Sequence, residues 1–262
     1  MPTVTSKDGT IIAYDKLGQG PAVILVSGAT MARSGFVKLA ELLATDLTVY
    51  NYDRRGRGGS TDTQPFALER EIEDIAALID EARGPVGIYG ISSGACLAMA
   101  AAAELDKVNK LAMYEAPYDE AEGAAGIWQQ YRSDLDKAIT EDRRGDAITL
   151  FMKLVGVTDE MINGMKSSPM WPGLEAVAPT LRYDAAAMGD DRSVPVERAA
   201  KVKAPTLVMD GGASLQTMPF MRASADKLAQ AIPNAQRRTI EGQSHDVDSE
   251  VLAPVLIEFF SA

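Results

Sequence analysis

A serine that attacks a carbonyl must stand clear of its backbone, lie beside unpaired N–H groups and meet a base. The segment Gly90-Ile91-Ser92-Ser93-Gly94 meets the first two conditions. An apolar stretch, Val86–Tyr89, precedes it and an Ala/Leu-rich stretch follows from Ala95, so it lies where a strand turns sharply into a helix. The helix N-terminus contributes free N–H groups and positive dipole. The flanking glycines suit the close approach of strand and helix in a G-x-S-x-G elbow. This spacing makes Ser92 the nucleophile and assigns the Ser93 N–H to a developing oxyanion. A serine that only caps a helix is the plainer reading of five residues, but the strand before and the helix after favour the nucleophile. A hydroxyl also needs a base, and the chain has one histidine, His245, in Glu241-Gly242-Gln243-Ser244-His245-Asp246-Val247. It falls after the apolar-polar run Gln236–Ile240 and before a final helix, in a loop at the carboxyl end of a strand. A structural histidine fits the same spacing, yet no other residue can supply imidazole to Ser92.

The elements that must position these groups are legible from periodicity. Residues 3–6 and 10–17 read as strands joined by the turn Lys7-Asp8-Gly9. Ala22–Gly28 is an uninterrupted apolar run, as in a strand buried on both faces. A helix (36–44), a strand (47–53) and an amphipathic helix (68–82) follow, the last with Ile72, Ile75, Leu78 and Ile79 on one face. The strand before Ser92, the helix after it and a strand ending at Glu115 continue the alternation. From Pro117 to Val194 strand signals vanish and helices are predicted over 125–139, 144–156 and 159–167. Strands over 204–212 and 236–242 then alternate with helices over 221–232 and 249–262. The pattern predicts an α/β fold: a mostly parallel central sheet flanked by helices, with a helical lid inserted between strands 6 and 7. The expected core is 1–117 with 195–262, and the expected cap is 118–194. The cap is rich in Met and aromatic residues, most of them expected in its own core. Trp128, Met152 and Trp171 are the candidates for lining a substrate pocket.

Over nearly its whole length the chain resembles the α/β-hydrolase family. Besides the elbow and the late histidine, Ile24-Leu25-Val26-Ser27-Gly28-Ala29-Thr30 resembles the family's strand and oxyanion loop, with Ser27 where histidine is usual. Tyr52-Asp53-Arg54-Arg55-Gly56-Arg57-Gly58-Gly59-Ser60 resembles its D-x-R-G-x-G-x-S turn, whose arginines are read as structural. The resemblance implies a second oxyanion N–H at Ala29. It also implies a carboxylate that orients His245, often in the loop after the strand following the insertion. That loop, Met209-Asp210-Gly211-Gly212-Ala213-Ser214, has Ala213-Ser214 at the usual acid position, with Asp210 earlier. Some members, certain haloalkane dehalogenases among them, carry the acid after the preceding strand, where this chain has Glu115. Glu115 is therefore the first choice for the acid and Asp210 the second, with Asp246 and Asp248 behind them. An arginine-paired structural carboxylate is the competing role for Glu115, and a turn residue before two glycines that for Asp210.

The implied activity is a serine hydrolase acting on a carboxylic ester or lactone. Dehalogenases and epoxide hydrolases of the family need aspartate at the elbow, so Ser92 argues against both. Carbon–carbon bond hydrolysis, thioester hydrolysis and cofactor-free perhydrolysis use the same residues. A slow small-molecule receptor on this fold and a catalytically dead relative are the readings from other classes. With 26 basic against 37 acidic residues the net charge is −11, which disfavours nucleic acid and anionic membrane surfaces as partners. One cysteine, Cys96, forbids an internal disulfide, and one histidine argues against a His-based metal site. No cofactor and no metal are expected. The N-terminal residues carry no leader pattern, so a cytoplasmic location is the expectation. A homodimer is left open.

Overall fold

The computed structural model describes residues 1–262. Eight strands form one sheet in the order β1-β2-β4-β3-β5-β6-β7-β8. The strands are β1 (Thr3–Thr5), β2 (Ile11–Leu17), β3 (Ala22–Val26), β4 (Thr48–Tyr52), β5 (Val86–Ile91), β6 (Val108–Tyr114), β7 (Thr206–Gly211) and β8 (Ala235–Ile240). β1 and β2 join antiparallel, and every pairing from β4 through β8 is parallel. The period-2 alternation of side chains divides the core between the two faces. Ile24, Val26, Val86, Ile88 and Val208 enter one apolar cluster, whereas Val23, Leu25, Tyr89, Ile91, Leu207 and Met209 enter the other.

The second face is covered by α1 (Val37–Leu43) and, from the end of the chain, by a helix over Ser249–Ser261. The first is covered by α2 (Leu68–Ala82) and α3 (Ser93–Glu104). On α2 the predicted stripe Ile72, Ile75, Leu78 and Ile79 is buried. On α3 every residue from Ser93 to Ala102 is buried. Its small side chains let β5 and β6 approach on one side and the insertion on the other.

The insertion between β6 and β7 is helical, as predicted: α4 (Ala124–Thr140), α5 (Arg144–Leu154), α6 (Asp159–Lys166), α7 (Trp171–Val177) and α8 (Leu181–Met188). The short α9 (Val196–Ala199) leads into β7; α10 (Phe220–Ala231) and α11 (Ser249–Ser261) complete the chain. α7 and α8 have no counterpart among the sequence-predicted helices. The insertion has no separate core. Trp128, Ile148, Met152, Ile162 and Leu181 belong to the apolar cluster that also holds α3, and α8 packs directly on α3.

Candidate active site

Ser92 caps β5 and precedes the first residue of α3, with φ 56° and ψ −133°. An L-residue holds such a backbone only where its surroundings over-determine it, and such strain gathers at functional sites. The surroundings are visible. The Ser92 N–H donates to the Tyr114 carbonyl (3.0 Å), and its own carbonyl accepts from Ala95 N–H (2.9 Å). A Cβ on Gly90 would lie 2.4 Å from the Gly94 carbonyl oxygen, and one on Gly94 2.3 Å from that of Val26. Both glycines of the elbow are therefore fixed by close backbone approach. As the first helical residue, Ser93 has an N–H with no acceptor inside α3.

The loop after β3 faces this corner. A Cβ on Gly28 would lie 3.6 Å from Ser92 Oγ. Ser27 Oγ donates to the Met31 carbonyl (3.1 Å), and Thr30 Oγ1 to the Ala29 carbonyl (2.7 Å). Thr30 itself is left-handed, at φ 60°. These bonds close the loop on itself and present the Ala29 peptide at the cavity.

His245 Nδ1 lies 2.7 Å from Glu115 Oε2. The Glu115 side chain is fully buried, and its other oxygen accepts the Gly211 N–H at 2.8 Å. Glu115 too has a left-handed backbone, at φ 47°. The Tyr114 hydroxyl donates to the carbonyl of Ser244, the residue before His245, at 2.6 Å. Burial, and then the carboxylates of Glu115 and Asp210, push this phenol above its ordinary range, so it remains a donor.

Asp210 is held differently. Its oxygens accept from Arg222 Nε (3.0 Å), Arg237 Nη1 (2.9 Å) and Thr239 Oγ1 (2.7 Å). Burial would raise its carboxyl, but Arg237, Thr239 and Arg222 outweigh that and keep it below the usual carboxylate range. Of the first two carboxylates offered by the sequence, the structure brings Glu115 to the imidazole and leaves Asp210 among arginines. Asp248 caps α11 by accepting the Glu250 N–H.

Ser92 and His245 share one cavity of about 310 Å³. Its walls include Gly28, Ala29, Met31, Phe36, Leu39, Ile91 and Leu252 from the core, and Phe151 and Val155 from the insertion. The one carboxylate on its wall is that of Asp246. Trp128, Met152 and Trp171, expected in the pocket, are not among these walls. Trp128 is fully buried inside the insertion, where its Nε1 donates to the Gly189 carbonyl at 2.9 Å. Met152 shares the inward face of α5 with Ile148, one turn away, while Phe151 and Val155, likewise i and i+4, face the cavity. Trp171 is buried in the apolar cluster that the insertion shares with α3.

The arginines of the turn after β4 are all buried and paired. Arg55 meets Asp74 and Asp8. Arg54 makes a two-pronged contact with Glu71 (2.7 and 2.8 Å) and reaches Asp184 (2.6 Å), which Arg57 also contacts (2.7 Å). Burial would raise the Asp184 carboxyl, but Arg57 and Arg54 overcome it and hold the group low. Asp184 sits on α8, a helix the sequence reading missed. The available signal was a lone acid followed by three alanines, Asp184-Ala185-Ala186-Ala187. No three His, Cys, Asp or Glu side chains gather into a metal-ligating group. No helix is long and apolar enough to cross a membrane.

Comparison with known proteins agrees with this architecture. The profile of the alpha/beta hydrolase family matches residues 23–254. The structure of an alpha/beta hydrolase from Sphaerobacter thermophilus DSM 20745 superposes with a TM-score of 0.89 at 49% identity, covering 99% of this chain and 100% of that one. An enol-lactonase from Burkholderia xenovorans LB400 shares the fold, with a TM-score of 0.67, 20% identity and full coverage of both chains. A pimeloyl-[acyl-carrier protein] methyl ester esterase of Xanthomonas oryzae pv. oryzae is 37% identical over 103 residues, 39% of each protein. The chain spans less than half the length of the curated relatives it matches. With the profile matched from β3 into α11, and the sheet and elbow in place, the chain belongs to the alpha/beta hydrolase family.

Proposed function

We propose that this protein is a serine hydrolase of carboxylic esters or lactones, acting through an acyl-enzyme on Ser92. One observation carries the reading: the chain's sole imidazole is bonded through Nδ1 to a buried carboxylate, 2.7 Å away, and shares a cavity with a serine held in a left-handed elbow. With Nδ1–H committed to Glu115, Nε2 is the nitrogen left to take the Ser92 proton as Oγ attacks the carbonyl. Glu115 fixes the tautomer and stabilises the imidazolium that forms. The N–H groups of Ala29 and Ser93 receive the oxyanion. His245 then protonates the leaving alcohol, or the ring oxygen of a lactone, and activates the water that releases the acid. Such preorganised donors commonly supply a large share of acyl-transfer catalysis.

The helical insertion acts as a lid over this site through Phe151 and Val155. The mostly apolar walls, with no lysine or arginine among them, favour neutral substrates of small to medium size. The test is hydrolysis of p-nitrophenyl acetate, butyrate and octanoate by the wild type, Ser92→Ala and His245→Ala. Turnover that is lost in both variants, with melting temperatures kept, is the expected result. Equal turnover by wild type and Ser92→Ala removes the serine from the reaction.

A further inference from the structure

The buried charge cluster beneath the elbow touches the Gly28–Ala29 peptide and the side chain of Ser93, so it reaches both residues whose N–H groups the proposed reaction uses for its oxyanion. Arg57 Nη1 donates to the Gly28 carbonyl at 2.6 Å and to that of Met31 at 3.2 Å. The Gly28 carbonyl and the Ala29 N–H are opposite ends of one planar peptide. A guanidinium on the carbonyl therefore fixes the direction of the N–H. It also polarises the amide, because hydrogen bonds in a chain strengthen one another and charged donors do so most. Arg54 Nη1 makes the matching contact one peptide earlier, to the Ser27 carbonyl at 3.1 Å. On the other side, Ser93 Oγ donates to Asp184 Oδ1 at 2.7 Å, and Ser93 supplies the second N–H.

Asp184 joins the two sides. Oδ1 takes Ser93 and Arg54, and Oδ2 takes Arg57. It belongs to α8 of the insertion, and Thr180, the residue just before that helix, has a hydroxyl that accepts from Arg57 Nε at 3.0 Å. Arg54, Arg57, Glu71 and Asp184 are each at most 2% exposed, and their two positive and two negative charges balance. We infer that Arg57 and Asp184 are positioning residues of the oxyanion hole, and that the insertion holds the two donor peptides in register through them. The inference rests on the acyl-enzyme reading of Ser92.

The test pairs kinetics with a tetrahedral mimic. A trifluoromethyl ketone adds to Ser92 Oγ to give a hemiketal, whose oxygen ionises in the oxyanion hole. Its ¹³C resonance titrates with that ionisation. Arg57→Gln is expected to lower kcat about 30-fold with KM within about twofold, less than deleting a donor outright. The inhibition constant for the ketone should rise by a similar factor, and the hemiketal pKa by about one and a half units. Asp184→Asn should follow with about tenfold effects, and Ser93→Ala with about threefold. A merely structural role would lower the melting temperature and leave the hemiketal titration where the wild type has it. If Arg57→Gln does not fold, Asp184→Asn and Ser93→Ala decide by the same two measurements. Unchanged kcat and unchanged hemiketal pKa in the folded variants overturn the inference, while loss of turnover in Ser92→Ala leaves the acyl-enzyme reading standing. Persisting turnover in Ser92→Ala, or no ketone adduct on Ser92, overturns both.

Discussion

The ends of β6 and β7 lie side by side and carry similar residues with different surroundings. Glu115 follows β6, and Asp210 lies near the end of β7. Each is 1% exposed. Glu115 meets an imidazole and a backbone N–H, neither of them a permanent cation. Asp210 meets two guanidinium groups and a hydroxyl. A carboxylate already neutralised by arginines has little to offer a histidine that gains and loses a proton. One without a fixed cation can stabilise the imidazolium when it forms. Depth and place along the strand are nearly equal at the two ends, so the partners decide the role.

Removing each carboxyl charge should separate the two ends most clearly. Glu115→Gln is expected to lower kcat by about 10⁴ on p-nitrophenyl esters, the scale seen when a triad acid is neutralised. The amide oxygen can still accept the Gly211 N–H, so circular dichroism should show an unchanged fold. A loss below tenfold would mean that His245 is oriented by something else. Asp210→Asn should do the reverse: kcat within about threefold, and stability lower by about 2 kcal/mol at pH 7 in urea titration, as for lost charged hydrogen bonds. Because the folded-state carboxyl is held below its ordinary value, Asp210 stabilises above about pH 4, and that contribution is lost as pH falls through the folded-state value. Wild type and variant should therefore converge in acid. A constant gap down to pH 2 would assign the loss to packing.

A smaller effect tests what ties the two ends together. Tyr114→Phe removes the hydroxyl bond to the Ser244 carbonyl, just before His245. About 1 kcal/mol of positioning corresponds to roughly fivefold in kcat. No change in kcat would show that the Glu115 contact alone holds the loop.

Much of this was legible in residue types and periods. The strand–helix alternation, the amphipathic stripe of α2, the elbow at Ser92 and the late His245 are local patterns, and local patterns survive in one dimension. The choice between Glu115 and Asp210 was narrowed to two by strand ends. The family's alternative acid position then put Glu115 first, but the pairing that sets Asp210 apart was out of sight, because Arg222 and Arg237 come to it from α10 and β8 only through folding. Of the three pocket candidates, Met152 lies one side of α5 away from the cavity that Phe151 lines. Met152 and Phe151 are adjacent in sequence, and nothing in the weakly amphipathic α5 says which side faces the cavity. Asp184 was missed for a different reason. Its partners Arg54 and Arg57 lie 130 and 127 residues away, and a charge that is neutralised only after folding leaves no pattern along the chain.

The contact between His245 and Glu115 also makes the site unusually easy to hear. With one histidine in the chain, every imidazole nucleus reports from this one ring. A proton shared between Nδ1 and a buried carboxylate at 2.7 Å should resonate far downfield of the amide envelope, alone and needing no assignment. Its position and line width, followed as esters or inhibitors are added, would read the protonation and motion of the ring directly in the intact protein.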